Sequence, residues 1–280
     1  MSAASTVPAV AVRGLERVFQ RPRTSLTRPA ARVHALRGVS LDVAPGERFG
    51  IVGESGSGKS TLIRLVAGLD RPTSGTIEVA GRAVHGRRER ALRFLRRELQ
   101  IVFQDPMSSL DPRMSVRDII AEPLVALGEP GVSPRVAELL DAVGLPRSAR
   151  HRYPHQFSGG QRQRISIARA LAPRPSVLVA DEPVSALDVS VRAQILNLVA
   201  DLVEEYGLTL LFVSHDLAVV RHVCDSVAVM HDGRVVETGP VERVWQEPQD
   251  DYTRTLLDAV PTLAKALQRH APRQLEEERD

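Results

Sequence analysis

Two short, unbroken apolar runs in the second half of the chain predict buried β-strands. They are Val177 to Ala180 and Leu208 to Val213, and each is followed by polar residues. Between them, Val189 to Tyr206 carries apolar side chains at the i, i+3, i+4, i+7 spacing of one helix face. A strand, helix, strand order of this length predicts parallel strands that are buried on both faces of a sheet. Ligands bind at the carboxyl ends of such strands, where this chain has Asp181-Glu182 and Ser214-His215.

The rest of the chain divides into a β-rich first part and a helical middle part. Four β-favouring segments separated by Gly and Pro predict a mixed or antiparallel region: Val10 to Phe19, His34 to Val43, Arg48 to Val52 and Thr76 to Val79. A helical pattern follows, interrupted by one apolar strand; its segments are Arg87 to Arg97, the strand Leu99 to Gln104, Val116 to Leu127 and Pro134 to Val143. These patterns predict an α/β fold with a helical subdomain in its middle.

Length, composition and charge narrow the class of protein. The 280 residues are 43% hydrophobic and 25% charged, as in an ordinary globular protein with one sizeable core. No apolar run approaches the roughly 18 residues of a membrane span, and Met1 to Val12 lacks a secretory-signal pattern, so we expect a cytoplasmic location. A net charge of +3 gives no indication of nucleic-acid binding. The single cysteine, Cys224, excludes an internal disulfide.

A glycine-rich segment between an apolar strand and a helix matches the phosphate-loop pattern G-x-x-x-x-G-K-[ST]. Glycines let consecutive backbone N–H groups converge on phosphate oxygens, and the helix N-terminus adds partial positive charge. Lys59 is one of only two lysines among 37 basic residues, and a compact ammonium fits between phosphate oxygens where a guanidinium is too bulky. The candidate nucleotide-binding residues are Gly53, Glu54, Ser55, Gly56, Ser57, Gly58, Lys59, Ser60 and Thr61.

Polar residues elsewhere are candidates for metal binding and catalysis. Ser60 and Asp181 would hold Mg²⁺, the carboxylate usually through water, and Glu182 would polarise a water that attacks a γ-phosphate in line. The alternative for the acidic pair is a solvated turn before Pro183. The segment Ser158-Gly159-Gly160-Gln161 begins a second helix whose N-terminus is offered to an anion. A flexible Gly/Ser linker is the alternative interpretation of both glycine-rich segments.

Taken together, these motifs resemble the nucleotide-binding subunits of ABC transporters, over residues 10–245. The order along the chain is that of the family: Walker A at 53–60, a Q-loop at 102–106, the signature at 157–164, Walker B at 177–182, a D-loop at 185–188 and the switch histidine His215. The resemblance implies a P-loop NTPase fold with a mostly parallel core sheet, an antiparallel β subdomain and an inserted α-helical subdomain at about 106–172. It also implies ATP and Mg²⁺ as the ligands.

The resemblance further implies residue roles and partners. Glu182, His215 and Gln104 would be catalytic, with Gln104 also contacting Mg²⁺; a buried structural histidine is the alternative for His215. Phe19 would stack on adenine, unless it is a core phenylalanine. Two such subunits, identical or paralogous, would pair head to tail, so that each ATP meets the Ser158, Gly159, Gly160 and Gln161 of the other subunit. Transmembrane permease subunits at the cytoplasmic face of the cell membrane and, indirectly, an extracytoplasmic solute-binding protein would complete the assembly.

Further segments resemble the branch of the family that imports di- and oligopeptides, nickel and related solutes. They are Gln104 to Pro112 and Tyr153 to Phe157, together with an expected C-terminal extension at 246–264 whose usual His-Pro pair is replaced by Asp250-Asp251. We expect an exposed loop at 21–32 and a flexible tail at 265–280. Peptide import is the leading expectation. The alternatives are nickel or another small solute, and a cytosolic ABC ATPase that acts on DNA or ribosomes.

Overall fold

The computed structural model describes residues 7–20, 32–185 and 187–259. All but one residue of the expected loop at 21–32, the tail at 265–280, Ala186 of the D-loop and residues 260–264 of the extension lie outside this part of the chain. The strands are β1 (Val10–Gln20), β2 (Arg32–Val43), β3 (Arg48–Val52), β4 (Ser74–Val79), β5 (Arg82–Ala83), β6 (Leu99–Val102), β7 (Val177–Asp181), β8 (Thr209–Ser214), β9 (Ser226–His231) and β10 (Arg234–Pro240).

The helices lie between these strands or after the last of them. They are α1 (Lys59–Val66), α2 (Arg93–Glu98), α3 (Pro106–Ser109), α4 (Val116–Leu127), α5 (Val132–Ala142), α6 (Gly159–Leu171), α7 (Val189–Glu205), α8 (Leu217–Val223), α9 (Val241–Gln246) and α10 (Asp251–Ala259). Helices α3 to α6 follow one another between β6 and β7, and the other helices lie singly or in a pair. Short 3₁₀ turns cover Glu89–Leu92, Arg147–His151 and Pro154–Gln156. Among the described residues, no helix is long and apolar enough to cross a membrane.

The strands form two sheets of different character. The smaller sheet has the order β2-β1-β4-β5 and is antiparallel throughout. The larger sheet has the order β10-β9-β3-β8-β7-β6, and only its β10–β9 pair is antiparallel. The predicted combination of a mostly parallel core sheet and an antiparallel sheet is therefore confirmed. Of the four early segments, Arg48–Val52 joins the parallel sheet, whereas the other three pair antiparallel.

The unbroken apolar runs reflect a sheet that is covered on both faces. Along β7, Leu178 packs into the core on one face, while Val177 and Val179 pack into the core on the other. The same alternation separates Leu210 from Leu211 in β8, because successive side chains of a strand point to opposite faces. Helices α4 to α7 contribute to the first core, and α1 with the antiparallel sheet contributes to the second. A polar residue inside these strands would face a core whichever way it pointed.

Helix boundaries agree with the sequence pattern where local capping residues set them. Helix α4 has the predicted bounds, because Ser115 Oγ accepts a hydrogen bond from Asp118 N–H at 3.2 Å and Gly128 ends the helix at φ 69°. The helix predicted from Pro134 begins two residues earlier, at Val132, since proline fits within a first helical turn. The helix predicted from Arg87 is wrong in its first turns: a 3₁₀ turn precedes α2.

Residues 106–172 contain the helices α3 to α6, and the bounds of an inserted subdomain there stay a prediction. The division of the chain into a cassette at 10–245 and an extension at 246–264 stays a prediction. The strand predicted to run to Gln104 ends at Val102, so that Gln104 lies in the loop that follows β6. This loop starts at the same edge of the core sheet as the loops after β3, β7 and β8, since these strands are parallel.

Candidate functional site

The phosphate loop connects β3 to α1 and is pressed against its surroundings at two glycines. A Cβ added at Gly53 would lie 2.2 Å from the backbone oxygen of Met230, and one at Gly58 would lie 2.6 Å from that of Ala35. The loop is also held by Gly233 N–H, which donates to the Ser57 carbonyl oxygen at 3.0 Å. Only glycine permits these approaches without a shift of backbone. The loop conformation is therefore set by β2 and by the β9–β10 turn.

The Lys59 ammonium is folded back into this loop. Its Nζ donates to the carbonyl oxygens of Gly53 at 2.6 Å and Glu54 at 2.8 Å, and the side chain is 5% exposed. Desolvation by burial lowers the pKa of Lys59, while the carboxylates of Glu182, Asp181 and Glu54 oppose that change. A buried cation with neutral oxygen partners is well suited to receive an anion.

The backbone N–H groups at the start of α1 are further hydrogen-bond donors beside the Lys59 ammonium. Gly58 occupies its N-cap at φ 105°, has no side chain to cap the helix, and no acidic residue lies in the first turn. The first N–H groups of a helix lack intrahelical partners and carry partial positive charge. Together with Lys59, they make a cradle whose unmet donors and charge fit the phosphates of a nucleotide.

Two acidic side chains follow β7 beside this cradle. Burial raises the pKa of Asp181, the adjacent Glu182 raises it further, and Lys59 lowers it. Both carboxylates are part-buried, and both raise the pKa of the Lys59 ammonium. Ionised carboxylates crowded in this way favour the approach of a cation.

Two of the three predicted catalytic side chains converge on one oxygen atom of the third. Glu182 Oε2 lies 3.3 Å from His215 Nδ1 and 3.4 Å from Gln104 Nε2. Gln104 comes from the loop after β6 and His215 from the end of β8, so that three neighbouring strand ends bring the groups together. His215 is 60% exposed at its side chain, which makes the alternative of a buried structural histidine wrong.

The backbone at Glu182 is held in a conformation that a glutamate rarely adopts. Its φ is +46°, in the left-handed region that costs L-residues roughly 1–2 kcal/mol. Hydrogen bonds fix it there: Glu182 N–H donates to the Val213 carbonyl oxygen at 3.0 Å, and Ser185 N–H and Oγ both donate to the Glu182 carbonyl oxygen at 3.2 Å. Strain that neighbours maintain is common where a side chain must be aimed for function.

The signature segment forms the N-terminus of α6, and two of its residues form hydrogen bonds with each other. Ser158 Oγ accepts from Gln161 N–H at 3.3 Å, and Ser158 N–H donates to Gln161 Oε1 at 3.0 Å. This reciprocal pair is a capping box. Gly160 lies against α7, since an added Cβ would be 2.4 Å from Val191 Cγ1. Gln161, which the sequence assigned to nucleotide binding, therefore shapes the helix end in this subunit.

Phe19 lies on the strand next to the one that supports the phosphate loop. It pairs with Val33 across β1 and β2, two residues before Ala35, whose carbonyl oxygen packs against Gly58. The residue is 39% exposed, and the Arg17 guanidinium lies 4.4 Å from the centroid of its ring. The exposure argues against a core phenylalanine, and the stacking role of Phe19 stays a prediction.

One contact at the phosphate loop was not predicted from the sequence. The Tyr252 hydroxyl oxygen, on α10, accepts a hydrogen bond from Glu54 N–H at 2.9 Å. The two residues are 198 positions apart, and no local pattern connects them. Tyr252 lies within the expected extension at 246–264, but the resemblance gave no indication that this segment reaches the nucleotide-binding loop.

Comparison with known proteins identifies relatives that are ATP-binding proteins of transporters, in agreement with a nucleotide site. Residues 36–185 match the ABC transporter family. The chain is 54% identical over 257 residues to the oligopeptide transport ATP-binding protein OppD of Mycobacterium tuberculosis, covering 90% of this chain and 42% of that protein. It is 47% identical over 254 residues to the di/tripeptide transport ATP-binding protein DppF of Pseudomonas aeruginosa, covering 90% of this chain and 78% of that protein. The chain thus spans less than half of the mycobacterial relative.

A solved structure shares the fold at moderate sequence identity. It is the dimeric ATP-binding cassette MJ0796 in a post-hydrolysis state with ADP and Pi, with a TM-score of 0.73 and 30% identity over 83% of this chain and 98% of that one. The predicted P-loop NTPase fold and the resemblance to peptide-importer ATPases are both confirmed. The chain therefore belongs to the ABC transporter family, and it carries the ABC-type ATPase cassette of the branch that contains the peptide-importer ATP-binding proteins.

Proposed function

We propose that this protein binds and hydrolyses ATP to drive an ABC importer, and that the imported solutes are di- or oligopeptides. The observation that supports it most is the convergence of Gln104 and His215 on Glu182 Oε2, beside the cradle of Lys59 and the α1 N-terminus. A carboxylate oriented by an amide and an imidazole beside a phosphate-binding loop is the arrangement that activates water for attack on a phosphate chain. The names of the relatives, which are peptide and glutathione transport proteins, support the solute class.

In this proposal the loop at 53–61 binds the phosphates of ATP. Lys59 exchanges the Gly53 and Glu54 carbonyl oxygens for phosphate oxygens, whose negative charge offsets the burial that lowers the pKa of Lys59. Ser60, Gln104 and Asp181 would hold Mg²⁺, because hydroxyl, amide and carboxylate oxygens are the ligands that it prefers. The metal, when bound, neutralises charge that develops on the phosphate oxygens. Phe19 would stack on the adenine.

Hydrolysis then depends on the Glu182 carboxylate. Its Oε2 accepts a proton from the water whose oxygen attacks the γ-phosphorus, and the bond from that phosphorus to the β,γ-bridging oxygen breaks. Gln104 Nε2 and, with its proton on Nδ1, the His215 ring donate to the same carboxylate oxygen and fix its direction. His215 is exposed enough to contact a γ-phosphate as well.

A second ATP-binding subunit would complete each site with its Ser158-Gly159-Gly160 segment and the adjoining N-terminus of α6. Val189, which follows the D-loop, is apolar and 81% exposed, as expected of a residue that a partner covers. The dimeric state of the related cassette supports the same arrangement. The partner is a second copy or a paralogue.

The permease would dock beside the Q-loop, at the cytoplasmic face of the cell membrane. A groove of about 710 Å³ lies between α2, β6 and α4. Its lining includes Leu69 and Phe103, which are 47% and 39% exposed, and Pro123. Phe103 immediately precedes Gln104, so a permease loop seated there would bear directly on a catalytic side chain. An extracytoplasmic solute-binding protein would act through the permease.

The experiment is ATP hydrolysis by wild type and Glu182→Gln, with Glu204→Gln as the matched control on the exposed side of α7. Loss of a general base lowers turnover by about 10²- to 10⁴-fold. We expect that loss in Glu182→Gln with ATP affinity retained, and normal turnover in Glu204→Gln. Turnover in Glu182→Gln equal to that of the control would show that the converging groups are not catalytic.

A further inference from the structure

The C-terminal extension is fastened to the cassette by a buried carboxylate. Glu237, on β10, is 8% exposed and accepts hydrogen bonds from the N–H groups of Gln249 at 3.0 Å and Asp250 at 3.2 Å. Burial opposes its charge, but these donors outweigh burial and leave the pKa of Glu237 lowered. Thr253 and Leu256 of α10 are buried at the same junction. The start of α10 is thus held in one place.

The acidic pair that departs from the branch pattern shapes the helix start. Asp250 Oδ1 accepts a hydrogen bond from Tyr252 N–H at 2.8 Å, and Asp251 forms an ion pair with Arg254. A carboxylate at this position caps a helix well, because the first N–H groups lack other partners. The cap and the Glu237 anchor together fix the direction in which Tyr252 projects.

Tyr252 projects onto the phosphate loop. Its hydroxyl oxygen accepts from Glu54 N–H at 2.9 Å, and its ring stacks on His231 with centroids 3.9 Å apart. Glu54 N–H belongs to the same planar peptide unit as the Gly53 carbonyl group. That carbonyl oxygen accepts from Lys59 Nζ at 2.6 Å. The Gly53–Glu54 peptide is therefore hydrogen-bonded at both ends, to Tyr252 through its N–H and to Lys59 through its C=O.

We propose that Tyr252 is a positioning residue for nucleotide binding: through the Gly53–Glu54 peptide it fixes the phosphate loop and the resting place of the Lys59 ammonium. The extension is then a brace for the nucleotide site. The proposal rests on the proposed ATP-binding function. Without the hydroxyl group, this peptide loses its partner at the N–H and keeps Lys59 at the C=O, so it is held less firmly and nucleotide binding has to order it. The loss of one hydrogen bond corresponds to an affinity about fivefold weaker.

The test compares Tyr252→Phe with wild type and with Tyr206→Phe. Phenylalanine keeps the ring on His231 and removes only the hydroxyl group. Tyr206→Phe is the same change at the end of α7, where the Arg135 guanidinium lies 5.7 Å from the ring centroid. Two quantities are measured: amide hydrogen exchange of residues 50–60 and 249–259 in the nucleotide-free protein, and the Kd for the nonhydrolysable ATP analogue AMP-PNP with Mg²⁺.

We expect Tyr252→Phe to exchange faster at residues 53–58 and to bind the analogue about fivefold more weakly, while Tyr206→Phe matches wild type in both. If the hydroxyl group only anchors the extension, its removal would speed exchange at residues 249–259 and leave the exchange of the phosphate loop and the Kd unchanged. That result would overturn the proposal. If wild type failed to bind the analogue, the proposed ATP-binding function would fall. The exchange of residues 53–58 in the nucleotide-free protein would still decide whether Tyr252 holds the loop.

Discussion

Replacing Gly53 with alanine would put a methyl group where the phosphate loop presses against β9. The added Cβ would lie 2.2 Å from the backbone oxygen of Met230 and 2.9 Å from Ser57 Oγ. A carbon and a carbonyl oxygen normally stay about 3.3 Å apart, so one backbone must move by about 1 Å. Met230 belongs to a buried strand that is hydrogen-bonded on both sides. The phosphate loop is therefore the part that moves.

That movement carries the peptide that holds Lys59. Overpacking of this kind costs about 1–3 kcal/mol of folding free energy. A displaced Lys59 also forfeits a charge-assisted hydrogen bond to a phosphate, about 1.5–3 kcal/mol, which corresponds to roughly 10- to 100-fold in affinity. We expect Gly53→Ala to have a lower melting temperature and to bind Mg²⁺ and AMP-PNP weakly in a calorimetric titration.

The matched control is Gly207→Ala, at the C-terminal end of α7. Gly207 has φ +62° and nothing within 4 Å of an added Cβ, so alanine there meets only the strain of left-handed backbone, roughly 1–2 kcal/mol. It should lower the melting temperature and leave AMP-PNP binding unchanged. Equal affinity in the two variants would mean that contact with Met230 does not shape the phosphate loop.

Two further variants test other parts of the structure. Arg48 donates to both carboxylate oxygens of Asp225 at 2.7 and 3.2 Å and lowers its pKa. Asp225→Asn should therefore lower the free energy of unfolding by about 0.5–1 kcal/mol above about pH 4. The difference from wild type should vanish as the pH falls through the folded-state pKa of Asp225. Denaturant unfolding at several pH values would measure it, with Asp201→Asn as the exposed control. Phe19→Ala should weaken the binding of ATP but not of pyrophosphate, and equal weakening of both by calorimetry would rule out stacking on adenine.

The pairing of β7 with β8 was predictable because burial on both faces leaves few polar positions in a strand, whereas β9 and β10 were not predicted from the sequence. The runs at Val177 to Ala180 and Leu208 to Val213 became β7 and β8, and their parallel pairing followed from the helix between them. That pairing also set which residues share the ligand edge. The convergence of Gln104 and His215 on Glu182 was implied by the family resemblance, but no distance could be obtained from the sequence.

Other features were missed because they depend on contacts far apart in the chain or on local backbone geometry. The bond from Glu54 N–H to Tyr252 joins residues near opposite ends of the chain, and sequence periodicity describes only neighbours. The positive φ of Glu182 is set by Val213 and Ser185, not by the type of residue. The capping role of Gln161, in contrast, was available in the sequence, since Ser158 and Gln161 have the S-x-x-Q spacing of a capping box.

A structure of the protein with Mg²⁺ and AMP-PNP would show whether residues 53–61 bind the phosphates of ATP. We expect phosphate oxygens against the backbone N–H groups at the start of α1, with Lys59 Nζ moved from the Gly53 carbonyl oxygen to the β- and γ-phosphates. Glu182 Oε2 should then lie on the γ-phosphate side of the nucleotide. A triphosphate bound away from residues 53–60, or Lys59 still bonded to Gly53 with the nucleotide in place, would show that these residues do not form the nucleotide site.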